Sequence, residues 1–141
     1  MTVRVELVSP ERIAYSGEAK MVIARTLEGD AAFLEGHVPF IAVLQTWPVK
    51  VVHDDDTAEV IAVHSGFVEV STDEQGTRVT ILSDIAELGE TIDVARAQRA
   101  RDRATHLLAS DPQDAEAMAA LQRAEVRLSA AGGVPSTAAS H

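Results

Sequence analysis

The 141-residue sequence has no cysteine, and its aromatic residues are one tryptophan, one tyrosine and three phenylalanines. Without cysteine the chain has no disulfide framework, thiolate metal site or cysteine nucleophile. No apolar run approaches the roughly 20 residues that a membrane-spanning helix needs, and residues 1–6 lack the basic and apolar segments of a signal peptide. The formal net charge of -10 argues against nucleic-acid binding, because phosphate contacts need clustered lysine and arginine.

Charge and composition divide the chain near residue 90. Residues 1–90 carry 6 basic and 16 acidic side chains, whereas residues 91–141 carry 6 of each, and those six basic residues are all arginine. Valine, isoleucine, threonine and glycine are concentrated in the first part, and alanine dominates the second. This shift predicts a β-rich part followed by an α-helical part.

The first part has the pattern of many short strands. Residues 3–8 alternate apolar and polar side chains with period two, which is typical of a half-buried strand. Further strand segments, separated by Gly, Ser, Asp and Pro turns, are 12–15, 20–27, 31–34, 40–44, 49–53, 59–64, 67–71 and 77–82. Because no helix-length segment intervenes, the pattern predicts a β-sandwich of about eight to ten short strands over residues 1–89.

The second part, residues 90–131, has the pattern of an antiparallel helical hairpin. Thr91 is the expected N-cap of the first helix. Asp111 is the expected cap of the second, with Pro112 at the first helical position, where its missing N–H costs nothing. A glycine pair, Gly132-Gly133, ends that helix, and residues 132–141 are expected to form a flexible tail.

Each predicted helix has a narrow apolar stripe that is rich in alanine. The stripe of the first helix consists of Ala97, Ala100, Ala104, Leu107 and Leu108, and that of the second of Ala117, Leu121, Ala124 and Leu128. Alanine allows helices to approach closely but buries little apolar area, so the hairpin is expected to be weakly held.

The arginines of the hairpin are the main chemical signal. Arg96, Arg99 and Arg103 lie within about 60° of one another on an ideal helix, and Arg123 and Arg127 form an i, i+4 pair. Converging guanidinium groups suit a polyphosphate, because each offers a planar set of donors. The alternative is a solvated helix face with local ion pairs.

Other candidate chemistry is weak. No nucleotide-binding glycine motif, zinc-protease motif or nucleophile elbow is present, and the five histidines lack metal-ligand spacing. A hydrolase that uses His64 and Ser65 would need a third partner and an oxyanion hole, which the sequence does not provide. The acidic run at residues 54–56 is expected to be a solvated turn between two strands.

Five stretches resemble the epsilon subunit of bacterial F-type ATP synthase. Residues 29–44 read GDAAFLEGHVPFIAVL, similar to the family pattern G-E-L-G-I-L-P-G-H-x-P-L-x-A-x-L. Residues 64–70 resemble S-G-G-F-x-E-V, and residues 79–82 resemble V-T-I-L. Residues 92–97 fit I-D-x-x-R-A, and residues 123–129 resemble R-A-x-x-R-L. The order and spacing of these motifs over nearly the whole chain carry the resemblance.

Three positions depart from the family pattern: Ala32 replaces a glycine, Glu35 a proline and Ser65 a glycine. Glycine at such positions allows a positive φ or a close backbone approach. The departures therefore bear on loop geometry rather than on the fold.

The resemblance implies a non-catalytic subunit on the central stalk of the synthase, coupling proton-driven rotation to ATP synthesis. The implied partners are the gamma subunit, the c-ring, and the alpha and beta subunits. The implied location is the cytoplasmic face of the bacterial membrane, peripheral and without insertion. The hairpin would fold against the sandwich or extend towards the catalytic head, where it would inhibit ATP hydrolysis. A free-standing β-sandwich adaptor that binds a protein partner through its hairpin is the alternative.

The resemblance also implies two sets of contact residues. No cofactor is required, but ATP is a possible regulatory ligand, and the matching positions are Glu87, Asp93, Arg96, Ala97, Arg103 and Arg127. A loop that faces the c-ring would present Glu28, Asp30, Glu35 and His37.

Overall fold

A computed structural model describes residues 1–10 and 12–132 of the chain, so residues 133–141 of the predicted tail lie outside the described residues. The strands are β1 Val3–Ser9, β2 Arg12–Ala19, β3 Met21–Thr26, β4 Gly29–Phe33, β5 Phe40–Val52, β6 Ala58–Asp73, β7 Gly76–Leu82 and β8 Ala86–Leu88. A 3-10 turn at Gly89–Thr91 leads into helices α1 Val94–Ser110 and α2 Ala115–Gly132. The predicted fold class, a β-sandwich followed by a helical hairpin, is confirmed.

The strands form one continuous hydrogen-bonded path in the order β2-β1-β7-β6-β5-β3-β4, with β8 added against β6. Strands β5 and β6 are long, and each contributes to both layers of the sandwich. The first half of β5 pairs with the second half of β6, which also pairs with β7. The second half of β5 pairs with the first half of β6 and with β3. Most neighbours are antiparallel, and β1 with β7 is parallel.

The expectation that all strands are short is wrong for β5 and β6, which have 13 and 16 residues. The predicted turn at Ser65-Gly66 is a bend inside β6 rather than a break. Ser65 has a φ of 76° and Gly66 a φ of 148°, so the chain changes direction while it keeps its pairing with β5. A Cβ at residue 66 would collide with the carbonyl oxygen of Leu82, which explains the glycine at this position.

The core of the sandwich follows the period-two alternation that the sequence predicts. In β1 the side chains of Val3, Val5 and Leu7 are buried, and the residues between them are half-buried. Phe33 and Ile61 are also fully buried in the same cluster, which draws on strands of both layers. This cluster contains no residue of either helix, so the sandwich has a core of its own.

Both predicted helix starts need correction. Asp93, not Thr91, is the N-cap of α1, and its side chain accepts a hydrogen bond of 3.0 Å from the backbone N–H of Arg96. The second helix starts at Ala115, and Asp114 accepts from the N–H of Ala117 at 3.0 Å. Asp111 and Pro112 instead form the turn between the helices. Aspartate is a stronger N-cap than threonine, which accounts for Asp93. Asp111 accepts instead from the N–H of Gln113 at 3.1 Å, so its carboxylate is used within the turn.

Small residues hold the hairpin together. Ala97 and Ala104 of α1 and Ala117 and Ala124 of α2 are buried, as predicted. Leu107, however, is 45% exposed, so this member of the predicted stripe is not part of the buried contact.

The hairpin lies folded against the sandwich. Val126 and Ala130 of α2 pack on Val60 and Ala62 of β6, and Ile92 closes the edge of this cluster. The contact therefore involves few large apolar side chains, and the weak docking of the hairpin stays a prediction.

Candidate functional site

The six positions of the implied ATP site all line one cavity of about 490 Å³. Strand β8 supplies Glu87, the start of α1 supplies most of the wall, and α2 supplies Arg127. Its volume is in the range of roughly 300–1,000 Å³ that is typical of small-molecule pockets. We call it the arginine cavity; its lining residues are Glu87, Ile92, Asp93, Arg96, Ala97, Arg99, Ala100, Arg103 and Arg127.

Three guanidinium groups of α1 converge on the arginine cavity without a carboxylate partner. Within the described part of the chain, Arg96, Arg99 and Arg103 have no Asp or Glu oxygen within 4.0 Å. Four arginines and two carboxylates line the cavity, so its walls carry a formal charge of +2. An anion with several negative oxygens would complement this excess of positive charge.

Glu87 joins the cavity to the sandwich. Nε of Arg127 donates to Oε1 of Glu87 at 2.7 Å, and Nε2 of His64 donates to the same oxygen at 3.0 Å. Burial alone would raise the pKa of Glu87, but the hydrogen bonds from Arg127 and His64 outweigh it and lower the pKa. Glu87 is therefore a carboxylate at neutral pH, and it holds Arg127 at the wall of the cavity.

The sequence did not indicate His64 as a partner of this site. Its side chain is 3% exposed, and Nδ1 is buried without a hydrogen-bond partner among the described residues. Burial lowers the pKa of His64, and the positive charges of Arg127 and Arg123 act in the same direction, against Glu87. The available signal was the period-two spacing from Val60 and Ala62, which places His64 on the strand face that α2 covers.

Two other arginine positions differ from the sequence interpretation. Arg99 lines the cavity, although the resemblance did not carry it over as a ligand position. Arg123 does not line the cavity and instead pairs with Glu116 at 3.3 Å within α2. The i, i+4 spacing therefore identified one cavity residue, Arg127, and one residue that lies outside the cavity, Arg123.

The structure does not bring the four residues of the implied c-ring loop into one cluster. Glu28 and Asp30 lie at the start of β4, and Glu35 and His37 follow its end. A five-residue strand separates the two pairs by roughly 13 Å, at about 3.3 Å per residue.

Each end of β4 is fixed by its own contacts. Asp30 accepts a 2.7 Å hydrogen bond from Nε of Arg25, whose guanidinium lies 3.8 Å from the ring centroid of Trp47. At the other end, Oγ1 of Thr77 donates to Glu35 at 3.2 Å. His37 makes an edge contact with Phe33, with 5.1 Å between ring centroids.

A patch of apolar side chains is exposed on the sandwich. Ile41, Val43, Phe67 and Leu82 point outwards from β5, β6 and β7, and each is at least 40% exposed. Val43 lies opposite Phe67, and Phe67 lies opposite Leu82 in the strand register. We call these four residues the outer apolar face. A contiguous apolar face of this kind typically marks a protein interface.

The described residues include neither a membrane-spanning helix nor a metal-binding cluster. Neither helix is long and apolar enough to cross a membrane. No group of three or more His, Asp or Glu side chains is arranged to hold a metal ion.

Comparison with known families defines the class of this fold and cavity. Residues 2–89 match the family model described as ATP synthase, Delta/Epsilon chain, beta-sandwich domain. Residues 90–132 match the model described as ATP synthase, Delta/Epsilon chain, long alpha-helix domain. The two matches together span both parts of the molecule. The chain belongs to the delta/epsilon chain family of ATP synthase, and the resemblance found in the sequence is confirmed.

Individual relatives agree with this family. The chain is 47% identical over 100 residues to the ATP synthase epsilon chain of Brevibacillus brevis, covering 71% of this chain and 73% of the relative. It is 41% identical over 126 residues to that of Streptomyces griseus, covering 89% and 92%. A chain in the cryo-EM structure of the Euglena gracilis mitochondrial ATP synthase shares the fold, with a TM-score of 0.73 and 22% identity over 92% of this chain and 81% of that one.

Proposed function

We propose that this chain is the epsilon subunit of a bacterial F-type ATP synthase. In this proposal it is a non-catalytic subunit of the central stalk that couples proton-driven rotation to ATP synthesis. The observation that carries the proposal is the family match to both the sandwich and the hairpin, together with relatives named ATP synthase epsilon chain. It follows that the chain is peripheral to the cytoplasmic face of the membrane, held there by the complex.

The outer apolar face is the proposed contact for the gamma subunit. Its four side chains lie on adjacent strands, so a helix or strand of a partner can cover them together. Phe67 is at the centre of the patch and is 49% exposed. Burying an aromatic side chain at the middle of an interface typically contributes much of the binding energy.

Reconstitution tests this proposal directly. The tagged chain is added to the alpha-beta-gamma complex of its own synthase from which this subunit has been removed. We expect stoichiometric binding, and we expect Phe67→Asp to weaken it at least tenfold, because a charge would be buried against apolar surface. Leu107→Asp is the matched control, since Leu107 is 45% exposed on α1, outside the patch. Equal loss of binding in both variants would contradict the assignment of this face.

The hairpin is the proposed regulatory element. Released from the sandwich, it would extend towards the alpha and beta subunits and inhibit ATP hydrolysis. The docked contact supports this proposal because its apolar part consists of two alanines, two valines and one isoleucine, so few large side chains must be exposed on release. We also propose that residues 1–89 and 90–131 are separate domains, since the buried cluster of the sandwich includes no helix residue.

ATP is the proposed ligand of the arginine cavity. The three unpaired guanidiniums would contact the phosphates, and Ala97 leaves space for a flat ring. Glu87 and Asp93 could accept hydrogen bonds from the amino group or the ribose hydroxyls. Because α1, α2 and β8 all contribute walls, the cavity exists only while the hairpin is docked. Bound ATP would therefore stabilise the docked, non-inhibitory form.

Calorimetric titration of the full chain with ATP at low-millimolar concentrations tests the ligand. We expect Arg103→Ala to weaken binding at least tenfold, since a hydrogen bond to a charged group contributes about 1.5–3 kcal/mol. Arg101→Ala is the matched control, because Arg101 lies on the same helix, outside the cavity and beside Asp102. No heat with the unmodified chain, or equal weakening by both substitutions, would show that the cavity is not a nucleotide site.

A further inference from the structure

One polar contact joins the hairpin to the sandwich beneath the arginine cavity. His64 of β6, Glu87 of β8 and Arg127 of α2 meet at a single carboxylate oxygen, Oε1 of Glu87. The three residues belong to three different elements, and only Arg127 moves away if α2 leaves the sandwich. Docking of the hairpin is therefore coupled to the surroundings of His64.

The docked structure suits a neutral imidazole. Since Glu87 is a carboxylate, the proton of neutral His64 must be on Nε2, which donates to it at 3.0 Å. Nδ1 is buried and has no hydrogen-bond partner in the described part of the chain. A second proton on Nδ1 would thus be a buried donor without an acceptor, which is unfavourable.

The charges that face His64 favour the same conclusion. Glu87 is the negative group beside it, and Arg123 and Arg127 are the positive groups that α2 brings close. Burial and these two arginines lower the pKa of His64 in the docked form. When α2 leaves, solvent returns and both arginines depart, while Glu87 stays beside the imidazole. The imidazole therefore binds a proton more readily in the undocked form.

We propose that His64 is a proton-sensitive release for the hairpin: protonation of its imidazole weakens the docking of α2 on the sandwich. The proposal rests on the proposed function only in requiring that the hairpin can separate from the sandwich. Docking is strongest above the pKa of the undocked form. It weakens as the pH falls through the ordinary histidine range near 6.5, because the undocked form then binds the extra proton.

Thiol labelling measures this release, because the chain has no cysteine of its own. Ala62→Cys places one thiol under α2 at a fully buried position. Protection is the labelling rate in denaturant divided by the rate in the folded chain, both measured at the same pH between 7.5 and 5.0. This ratio cancels the effect of thiol ionisation on the rate. We expect protection to fall as the pH drops, by up to tenfold for each pH unit between the undocked and docked pKa values of His64.

Two variants in the Ala62→Cys background assign the effect. His64→Gln keeps a neutral amide donor for Glu87 but does not titrate, so its protection should not change with pH. His53→Gln is the matched control, because His53 also pairs with a glutamate, Glu59 at 2.9 Å, yet lies outside the contact with α2. We expect it to behave like the unmodified chain.

The outcomes separate this proposal from the proposed function. If protection does not change with pH in the chain that retains His64, the proposal that His64 protonation weakens docking is contradicted. The same holds if His64→Gln leaves the slope of protection against pH unchanged. If His64→Gln does not dock, the NMR titration of the His64 imidazole in the full chain decides instead. A pKa at or above 6.5 in the docked form would overturn the proposal. A thiol at residue 62 that never reacts would mean that the hairpin does not separate, which contradicts the proposed regulatory movement itself.

Discussion

Gly89 controls how closely the hairpin approaches the sandwich. It lies in the 3-10 turn between β8 and α1, where its backbone is pressed against the C-terminal turn of α2. A Cβ at this position would collide with the backbone carbonyl of Ala130 and come within 3.1 Å of the carbonyl oxygen of Val60. Both groups are backbone, so neither can rotate away as a side chain could.

The Gly89→Ala substitution is therefore expected to weaken docking without altering the sandwich core. Inserting an extra methyl group into a closely packed contact typically costs about 1–3 kcal/mol. Most of that cost falls on the docked form, because the collision with Ala130 disappears when α2 moves away and only the 3.1 Å approach to Val60 of β6 remains. The equilibrium should shift towards the undocked hairpin by about 5- to 150-fold.

Protection of a thiol at Ala62→Cys measures this shift in the docking equilibrium directly. Gly89→Ala should lower the protection by that factor at pH 7.5, whereas Gly132→Ala should leave it within about twofold. The second substitution is the matched control, since a Cβ at residue 132 would meet no atom within 4 Å. Unchanged protection in Gly89→Ala would refute the view that backbone contact at this turn limits docking.

Three further predictions concern the orientation of the chain, the tyrosine and the separate domains. A thiol at Asp30→Cys should cross-link to the c subunit in the assembled complex, and one at Asp54→Cys, in the turn after β5, should not; the reverse result would contradict the proposed orientation. The single tyrosine, Tyr15, should ionise near pH 12 in an absorbance titration at 295 nm. Burial and the 2.7 Å hydrogen bond to Glu59 raise its pKa, so this contribution to stability is present below pH 10 and is lost as the pH rises towards 12. Glu59→Gln should lower the midpoint, and an unchanged midpoint would contradict this cause. A chain ending at Gly89 should melt cooperatively with a β-type spectrum, because the core cluster contains strand residues only; an unfolded spectrum would contradict the separate domains.

Local patterns in the sequence predicted those parts of the molecule that depend on near neighbours. The period-two alternation of residues 3–8 predicted the buried face of β1. Helical periodicity predicted that Arg96, Arg99 and Arg103 share one side of α1, and all three line the cavity. Both inferences need only the geometry of a single element.

Features that depend on pairing were not predictable from the sequence. Strand β8 has three residues, too few for a periodic signal, and it exists because β6 offers it hydrogen bonds. Pro48 lies inside β5, with β6 on one side and β3 on the other, although proline in a sheet is usually confined to an edge strand. It is tolerated there because the β3–β5 register shifts at this point, so no ladder bond from its missing N–H is needed.

The candidate site also combines features that the sequence predicted with contacts that depend on distant residues. The resemblance supplied its six positions, but the link from Arg127 to Glu87 spans 40 residues, and that from His64 to Glu87 spans 23. Contacts at such separations follow from the docking of α2 on β6 and β8. No local pattern encodes them.

Isolation of the tagged chain from its native membranes in mild detergent tests the central claim most directly. The account predicts that the gamma, alpha, beta and c subunits of an ATP synthase accompany the chain in one complex. It also predicts that Phe67→Asp abolishes their recovery while Leu107→Asp does not. Recovery of the unmodified chain without synthase subunits, or with a different protein partner, would contradict the account and favour a free-standing adaptor.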